Sequence, residues 1–493
     1  MTTGEAVWEY HYDPAGHLVA ERDLNGRTLR HTKDAADQLL ATTDQDGRTT
    51  TFAYDPLGRL VERRDHDGAT TTLGYDEHGH LAVLTDGRST VTFTHDPAGR
   101  VLTEDVDGRT TRYRYDPLGR RTGRTTPTGL TSTWSWDEAD RPAALTTLLE
   151  ELTFTRDAAG RVTTSRLGSG AALTQSWDPS GRLTGQALWA RTDGAPAPLH
   201  RRGYRYRADG LPEAVTDTLR GTRTYALTPA GRITRVTADD ADDAGESYES
   251  YAYDALGAVT RAHDTRRPQD GCAGERAYTG SLLRTAGRTA FDHDERGRLV
   301  RRTVRTLSGG RREWHYHWDD RNRLTGLDAP DGTRWAYGYD VLGRRTSKHL
   351  LDAEGRVRTD AERTWFSWDD NQLAEQRTVL PNGAARTVSW DWEPGTWRAV
   401  AQRERITGPD GDPVDERFYA IVADLVDAPS ELVHPDGRIV WHADTNVWGR
   451  RFRRPAADGA PTARSGGPAS TTTPNPAWST TTSATTTRPP AAT

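Results

Sequence analysis

Short β-prone runs alternate with polar turn signals along most of the chain. In residues 49–54, Thr-Thr-Thr-Phe-Ala-Tyr is rich in β-branched and aromatic side chains. Asp55-Pro56-Leu57-Gly58 follows as a turn, with Pro fixing φ and Gly supplying a positive φ at the exit. Arg59-Leu60-Val61-Glu62-Arg63 reads as the returning strand, and Asp67-Gly68 turns the chain again. Asn25-Gly26, Asp46-Gly47 and Asp107-Gly108 hold the same place in other units. The pattern predicts strand, turn, strand, turn for hundreds of residues.

The turn belongs to a repeat. Tyr12-Asp13-Pro14-Ala15-Gly16 recurs as Tyr54-Asp55-Pro56-Leu57-Gly58, Tyr75-Asp76-Glu77-His78-Gly79 and Tyr115-Asp116-Pro117-Leu118-Gly119. Later comes Tyr339-Asp340-Val341-Leu342-Gly343. The aspartates at 13, 34, 55, 76, 96, 116, 137, 157 and 178 step by 20 or 21 residues, a spacing chance does not hold over nine copies. Single hairpins are marginal in water, but side-by-side hairpins cover one another's edges. Accumulated twist then coils the ribbon. The predicted fold is all-β: a repeat array of antiparallel hairpins coiled into a spiral shell, here incomplete. The aromatic before each aspartate falls at one place per unit, so the rings are expected to stack as a ladder.

Regular repeats fill residues 1–186. Residues 187–300 read as degenerate repeats with longer loops at 187–203, 239–250 and 262–275. Residues 301–417 hold further repeats, and no break marks a separate domain before about residue 450.

Composition narrows the function classes. The chain has 493 residues, 34% of them hydrophobic, with 47 Gly and 26 Pro. A mean hydropathy of -0.82 disfavours thick helical cores. The net charge of -6 argues against a general nucleic-acid binder. No 18-residue apolar run offers a membrane span, and residues 1–12 carry no secretory signal pattern. The lone cysteine, Cys272, excludes an internal disulfide framework.

Candidate chemistry yields no enzyme: no catalytic, cofactor-binding or metal residues are assigned. Asp44-x-Asp46-Gly47, Asp65-x-Asp67-Gly68 and Asp105-x-Asp107-Gly108 resemble pieces of calcium loops but lack a distal Glu, so turn chemistry is favoured. His78-x-His80 and His315-x-His317 place imidazole pairs on strand faces, without an obvious third zinc ligand; a solvated strand face is favoured. Cys272 reads as an incidental thiol. The arginines at 301–305 and 311–312 read as partners in solvated cross-strand ion pairs.

The Tyr-Asp-x-x-Gly-Arg-Leu unit resembles the YD repeat of Rhs (rearrangement hotspot) proteins, over roughly residues 8–450. The stretch from Phe418 to Leu432, with Pro435-Asp436-Gly437-Arg438 and Asp444-Thr445-Asn446-Val447-Trp448-Gly449-Arg450, resembles the start of the Rhs-associated core (418–450), particularly its actinobacterial form. The resemblance implies a hollow β-shell around a C-terminal toxin domain, the partner in full-length relatives. It also implies a secreted or cell-surface setting and contact with secretion-system components. An alternative role is a module that binds carbohydrate or a cell surface through exposed aromatics and arginines. For this product itself the location is unknown, and cytoplasmic if it is a remnant.

Residues 451–493 are crowded with Thr, Pro and Ala. The plain reading is a disordered tail. A sharper one follows from the resemblance: read one base earlier, Thr471, Thr472 and Thr473 can become Tyr, Tyr and Asp, and the permitted sequence follows the family's own continuation over 25 positions. A frameshift between about residues 450 and 469 is then expected, leaving a shell fragment without its toxin. Sequencing the gene tests this. Tyr and Asp codons in the earlier frame are expected at 471–473, and their absence overturns the frameshift.

Overall fold

A computed structural model describes residues 7–168, 170–190, 198–239, 246–267 and 270–449. The sequence expectations for the segment after residue 450 lie outside these residues. Among the described residues there are 39 strands, from Glu9–Tyr12 to Ile439–His442. Each strand pairs antiparallel with its neighbours in sequence, giving one long open sheet.

The unit's turn is built around the aspartate. At Asp116 the carbonyl accepts from Gly119 N at 2.9 Å. The carboxylate Oδ1 accepts from Leu118 N and Arg120 N at 3.0 and 2.9 Å, and Oδ2 from Arg120 Nε at 2.6 Å. One side chain thus satisfies three donors that the tight turn leaves without ladder partners. Gly119 and Gly343 both sit at φ 84°, the left-handed region where a Cβ is penalised. Where the repeat lacks this glycine, Asp37, Asp140, Asn322 and Asp427 take the same conformation, which Asp and Asn tolerate best among the other residues.

The aromatic and the arginine join one unit to the next. Tyr115 Oη donates to the carbonyl of Val101 at 3.0 Å, Trp177 Nε1 to Val162 at 2.8 Å and Tyr339 Oη to Leu324 at 2.8 Å. The arginine of the preceding unit covers the ring: Arg100 lies 5.1 Å from the Tyr115 centroid and Arg323 5.5 Å from Tyr339. The expected ladder of ring on ring is therefore corrected to an aromatic–arginine ladder. A guanidinium held by its own aspartate fills the space between units, and the ring faces that charge. Most of these hairpins also carry a β-bulge beside the aromatic, as between Ala53 and Tyr54 or Gly338 and Tyr339. Repeated bulges raise the local twist and so curl the wall.

The loops expected at 187–203, 239–250 and 262–275 are shorter than predicted. Strands Leu183–Ala190 and Pro198–Tyr206 occupy most of the first, while Glu246–Tyr253 enters the second and Val259–Asp264 the third. Leu188, His200, Arg202 and Tyr204 are buried there. Burial of polar side chains disguised these strands as loop sequence.

The sheet coils back on itself, so that its later strands form a second round against the first. Trp134, Leu145, Leu152, Leu167 and Leu188 of the first round share an apolar cluster with Val400, Phe418, Val422 and Val433 of the second.

Replacing Tyr115 with Phe removes the bond to Val101 while keeping the ring. The expected loss is about 1 kcal/mol in urea denaturation, the usual net worth of such a hydrogen bond; Tyr115→Ala should cost more.

Candidate functional site: the charged seam between rounds

Each unit has two kinds of turn on opposite rims of the ribbon: the Asp-x-x-Gly-Arg turn and the turn between units. The second round sets its Asp-x-x-Gly-Arg rim upon the first round's between-unit rim. Arg48 Nη1 meets Asp320 Oδ1 at 2.7 Å. Arg321 reaches Asp65 at 2.7 Å, Thr71 Oγ1 at 2.6 Å and Asp86 at 3.2 Å. Arg27 donates to the carbonyl of Arg296, 269 residues later, and Val447 N to Glu249 across 198 residues. The circuit has shortened towards its C-terminal end.

Midway, the seam becomes a buried network. Arg121 grips Asp369 with two bonds of 2.7 Å. Arg124 contacts Asp369 at 3.2 Å and Asp391 at 2.8 Å, and it donates to the carbonyl of Trp390. Arg403 lies 3.2 Å from Asp391 and bonds Ser132 Oγ at 2.7 Å. Arg344 links Asp340 at 2.7 Å to Glu104 at 2.5 Å. Further along, Arg202 joins Asp217 at 2.9 Å to Glu431 at 2.5 Å, Arg220 adds a 2.6 Å contact to Glu431, and His200 Nε2 lies 3.0 Å from Asp217.

The carboxylates respond differently. Burial pushes Asp369 up, but the Arg121 and Arg124 guanidiniums outweigh it and hold the group below the usual carboxylate range. Asp217 is likewise held far below it: burial is overcome by the bond from His200 and the charge of Arg202. Glu104 goes the other way, because burial outweighs Arg344. No Born-type cost is recovered fully in such pairs, so their net stabilisation is small, whereas removing one partner is expensive.

The signature residues are spread over both rounds. Asp13, Asp55, Asp76 and Asp116, with their glycines Gly16, Gly58, Gly79 and Gly119, lie on the first round's outer rim. Tyr12 is exposed, whereas the Tyr54 and Tyr75 hydroxyls bond the carbonyls of Leu39 and Leu60. Asp340 is fully buried, because its turn, Tyr339 to Gly343, stands on the first round at Glu104. Apart from Asp65 and Asp340, sequence reasoning did not single out the seam residues, and its solvated ion pairs describe only part of the charge. Arg301–Asp292 is such an exposed pair, but Arg121, Arg124, Arg202, Arg321 and Arg344 are in buried or half-buried ones. A partial signal existed in the turns: two first-round turns present Pro-Leu, with Leu57 and Leu118 exposed, whereas Asp319-Asp320-Arg321-Asn322 and Asp294-Glu295-Arg296-Gly297 of the second round present charges.

The aspartates weighed as calcium ligands hold turns: Asp44 Oδ1 accepts from Asp46 N and Arg48 N, both at 3.0 Å. Asp105 takes Gly108 N and the Thr110 hydroxyl, while Asp65 receives Arg321. His315 and His317 lie on the strand Arg311–Trp318, beside Glu313 and Asp328. His78 and His80 are not on a strand face as expected; both belong to the turn after Tyr75, because the turn runs one residue past its glycine. Cys272 is half-buried, its Sγ 3.5 Å from Thr289 Oγ1.

The RHS Repeat family model matches residues 34–70, 54–91, 95–131 and 318–357. These matches include the turns at Asp55, Asp76, Asp116 and Asp340. The chain contains RHS repeats. It is 29% identical over 379 residues to "Probable deoxyribonuclease RhsB" of Dickeya dadantii strain 3937, covering 72% of this chain and 24% of that protein. It is 26% identical over 301 residues to "Double-stranded DNA deaminase toxin A" of Burkholderia cenocepacia strain H111, covering 56% of this chain and 19% of the relative. The RHS-repeat chain thus spans about a quarter or less of the length of these relatives. Among solved structures it resembles TcdB2-TccC3 without its hypervariable C-terminal region, with a TM-score of 0.67 at 16% identity over 90% of this chain and 25% of that one. A Photorhabdus luminescens Tc holotoxin pore matches at TM-score 0.56 and 15% identity, over 90% of this chain and 26% of that one. This likeness is one of fold: a spiral antiparallel β-shell.

Two outcomes test the seam. Arg124→Met leaves Asp369 with Arg121 alone and Asp391 with Arg403 and Ser132, and should lower unfolding stability by about 3 kcal/mol in urea denaturation. Because Asp369 and Asp217 titrate below their unfolded value of about 3.9, their contribution is present above that pH and is lost as pH falls through the folded values. The thermal midpoint should therefore drop on acidification below about pH 4 more steeply in the native chain than in Asp369→Asn.

Proposed function

We propose that this segment is the wall of a container in which a longer RHS-repeat protein holds its own C-terminal effector domain. The role is structural, not catalytic. The observation that carries this reading is the seam: the second round is bonded to the first through buried arginine–carboxylate networks from Glu104 to Glu431, so the ribbon is a joined wall instead of a loose coil. A protein that served only to display its hairpins would have no need of that joint.

On this reading, residues 1–186, 187–300 and 301–417 are successive stretches of wall, and residues 418–450 begin the Rhs-associated core that follows it. The same reading assigns the deoxyribonuclease and DNA-deaminase activities in the relatives' names to parts of those proteins beyond the matched segment, of which this chain covers 24% and 19%. The partner of this wall is then the toxin domain carried on the same full-length chain.

Limited proteolysis of a full-length product containing this segment tests the proposal. Its C-terminal domain should resist cleavage while the wall is intact and become cleavable in the Arg124→Met variant. A domain cut equally fast in both, with the wall folded, overturns containment.

A further inference from the structure

One unit replaces both partners of the aromatic–arginine ladder with histidine. At the turn Asp76 to His80, the arginine position holds His80, and the following aromatic position holds His95. His80 Nδ1 lies 3.3 Å from Asp76 Oδ2, and His95 Nδ1 lies 3.4 Å from that same oxygen. The two imidazoles are 5.0 Å apart between centroids, and one ligand atom from each of the three residues falls within 4.8 Å of the others.

Two features set this cluster apart from an ordinary repeat turn. First, Tyr115 and Trp177 at the aromatic position each donate to a carbonyl of the preceding unit, whereas His95 Nδ1 has no hydrogen-bond partner although its side chain is only 9% exposed. An unsatisfied buried nitrogen is costly, and it lies 3.4 Å from a carboxylate oxygen. Second, the spacing of each imidazole to the carboxylate fits a metal. Ligand atoms about 2.0–2.1 Å from a tetrahedral zinc stand about 3.3–3.4 Å from one another.

The chain carries its own comparison. His17 also takes the arginine position, with Nδ1 3.1 Å from Asp13 Oδ2. The next aromatic position there is Lys33, which bonds Asp37 at 2.8 Å and offers no third ligand at neutral pH.

We infer that Asp76, His80 and His95 form a binding site for zinc or a similar divalent transition metal, on the first round's outer rim. Two imidazoles and one carboxylate supply three ligands of a type such ions favour. Asp76 and His80 are part-exposed, at 25% and 36%, which leaves the fourth position to water or to a ligand from outside. Bound metal would fasten the hairpin Thr70–Thr85 to the strand Thr90–His95, the task arginine performs elsewhere.

Titration of the purified chain with zinc tests this, read by calorimetry and by the visible spectrum of cobalt at the same site. His80→Arg and His95→Tyr each restore the residue usual in the repeat, so neither threatens folding. One equivalent of zinc and a tetrahedral cobalt spectrum are expected for the native chain. Both variants should lose at least about tenfold in affinity, while His17→Arg leaves binding unchanged. No stoichiometric zinc binding, or equal binding by the native chain and both variants, overturns the site.

Discussion

A turn rim is polar by necessity, and that constraint shapes how this wall closes. Each hairpin end exposes backbone donors that the ladder cannot satisfy, so it recruits carboxylates to itself. When a second round of sheet is laid on the first, rim meets rim. An apolar joint would bury those polar groups unpaired. The joint is therefore made from arginines that reach across to carboxylates and carbonyls, as Arg321 does to Asp65 and Asp86 and Arg124 does to Asp369, Asp391 and Trp390.

A repeat protein faces a second problem at such a seam. Nearly identical units would fit equally well if one round slid along the other by one unit. Backbone pairing cannot prevent this, because every strand pairs only with its sequence neighbours. On the first round, the charges that cross the seam do not follow the repeat. Glu104, Arg121, Arg124 and Arg202 occupy strand positions that most other units fill with different residues. A slip would leave Asp369 and Glu431 buried without partners, at a cost far above anything regained. Buried ion pairs thus contribute register more than net stability. The apolar cluster around Leu145, Leu152, Val400 and Phe418 supplies attraction that is less selective.

Within a round, the same carboxylate does both local and longer-range work. Asp116 closes its own turn and orients Arg120; Arg120 lies over the ring of Trp136 in the next unit, and that ring returns a bond to the carbonyl of Arg121. The linkage runs along the sheet without needing apolar bulk, which is how a chain of low mean hydropathy sustains so many strands. The histidine unit at 76–95 keeps the positions but changes the chemistry of the link.

What could be read from the residues alone was local and periodic. The 20- or 21-residue spacing, the Asp-x-x-Gly turn and the β-prone runs set hairpins in sequential pairing, and twist implied a coil. These are properties of neighbours within one unit, where turn chemistry decides the outcome. The exchange of ring stacking for arginine interleaving was not legible, because it depends on side-chain positions in adjacent hairpins. Nor was the seam: Arg124 and Asp369 are 245 residues apart, and only the radius of the coil decides which residue of one round lies over which of the other. That radius accumulates from small twists and bulges in every hairpin between them, so no local pattern encodes it, and the buried charges, the apolar cluster and the Asp76–His80–His95 cluster all had to await the folded chain.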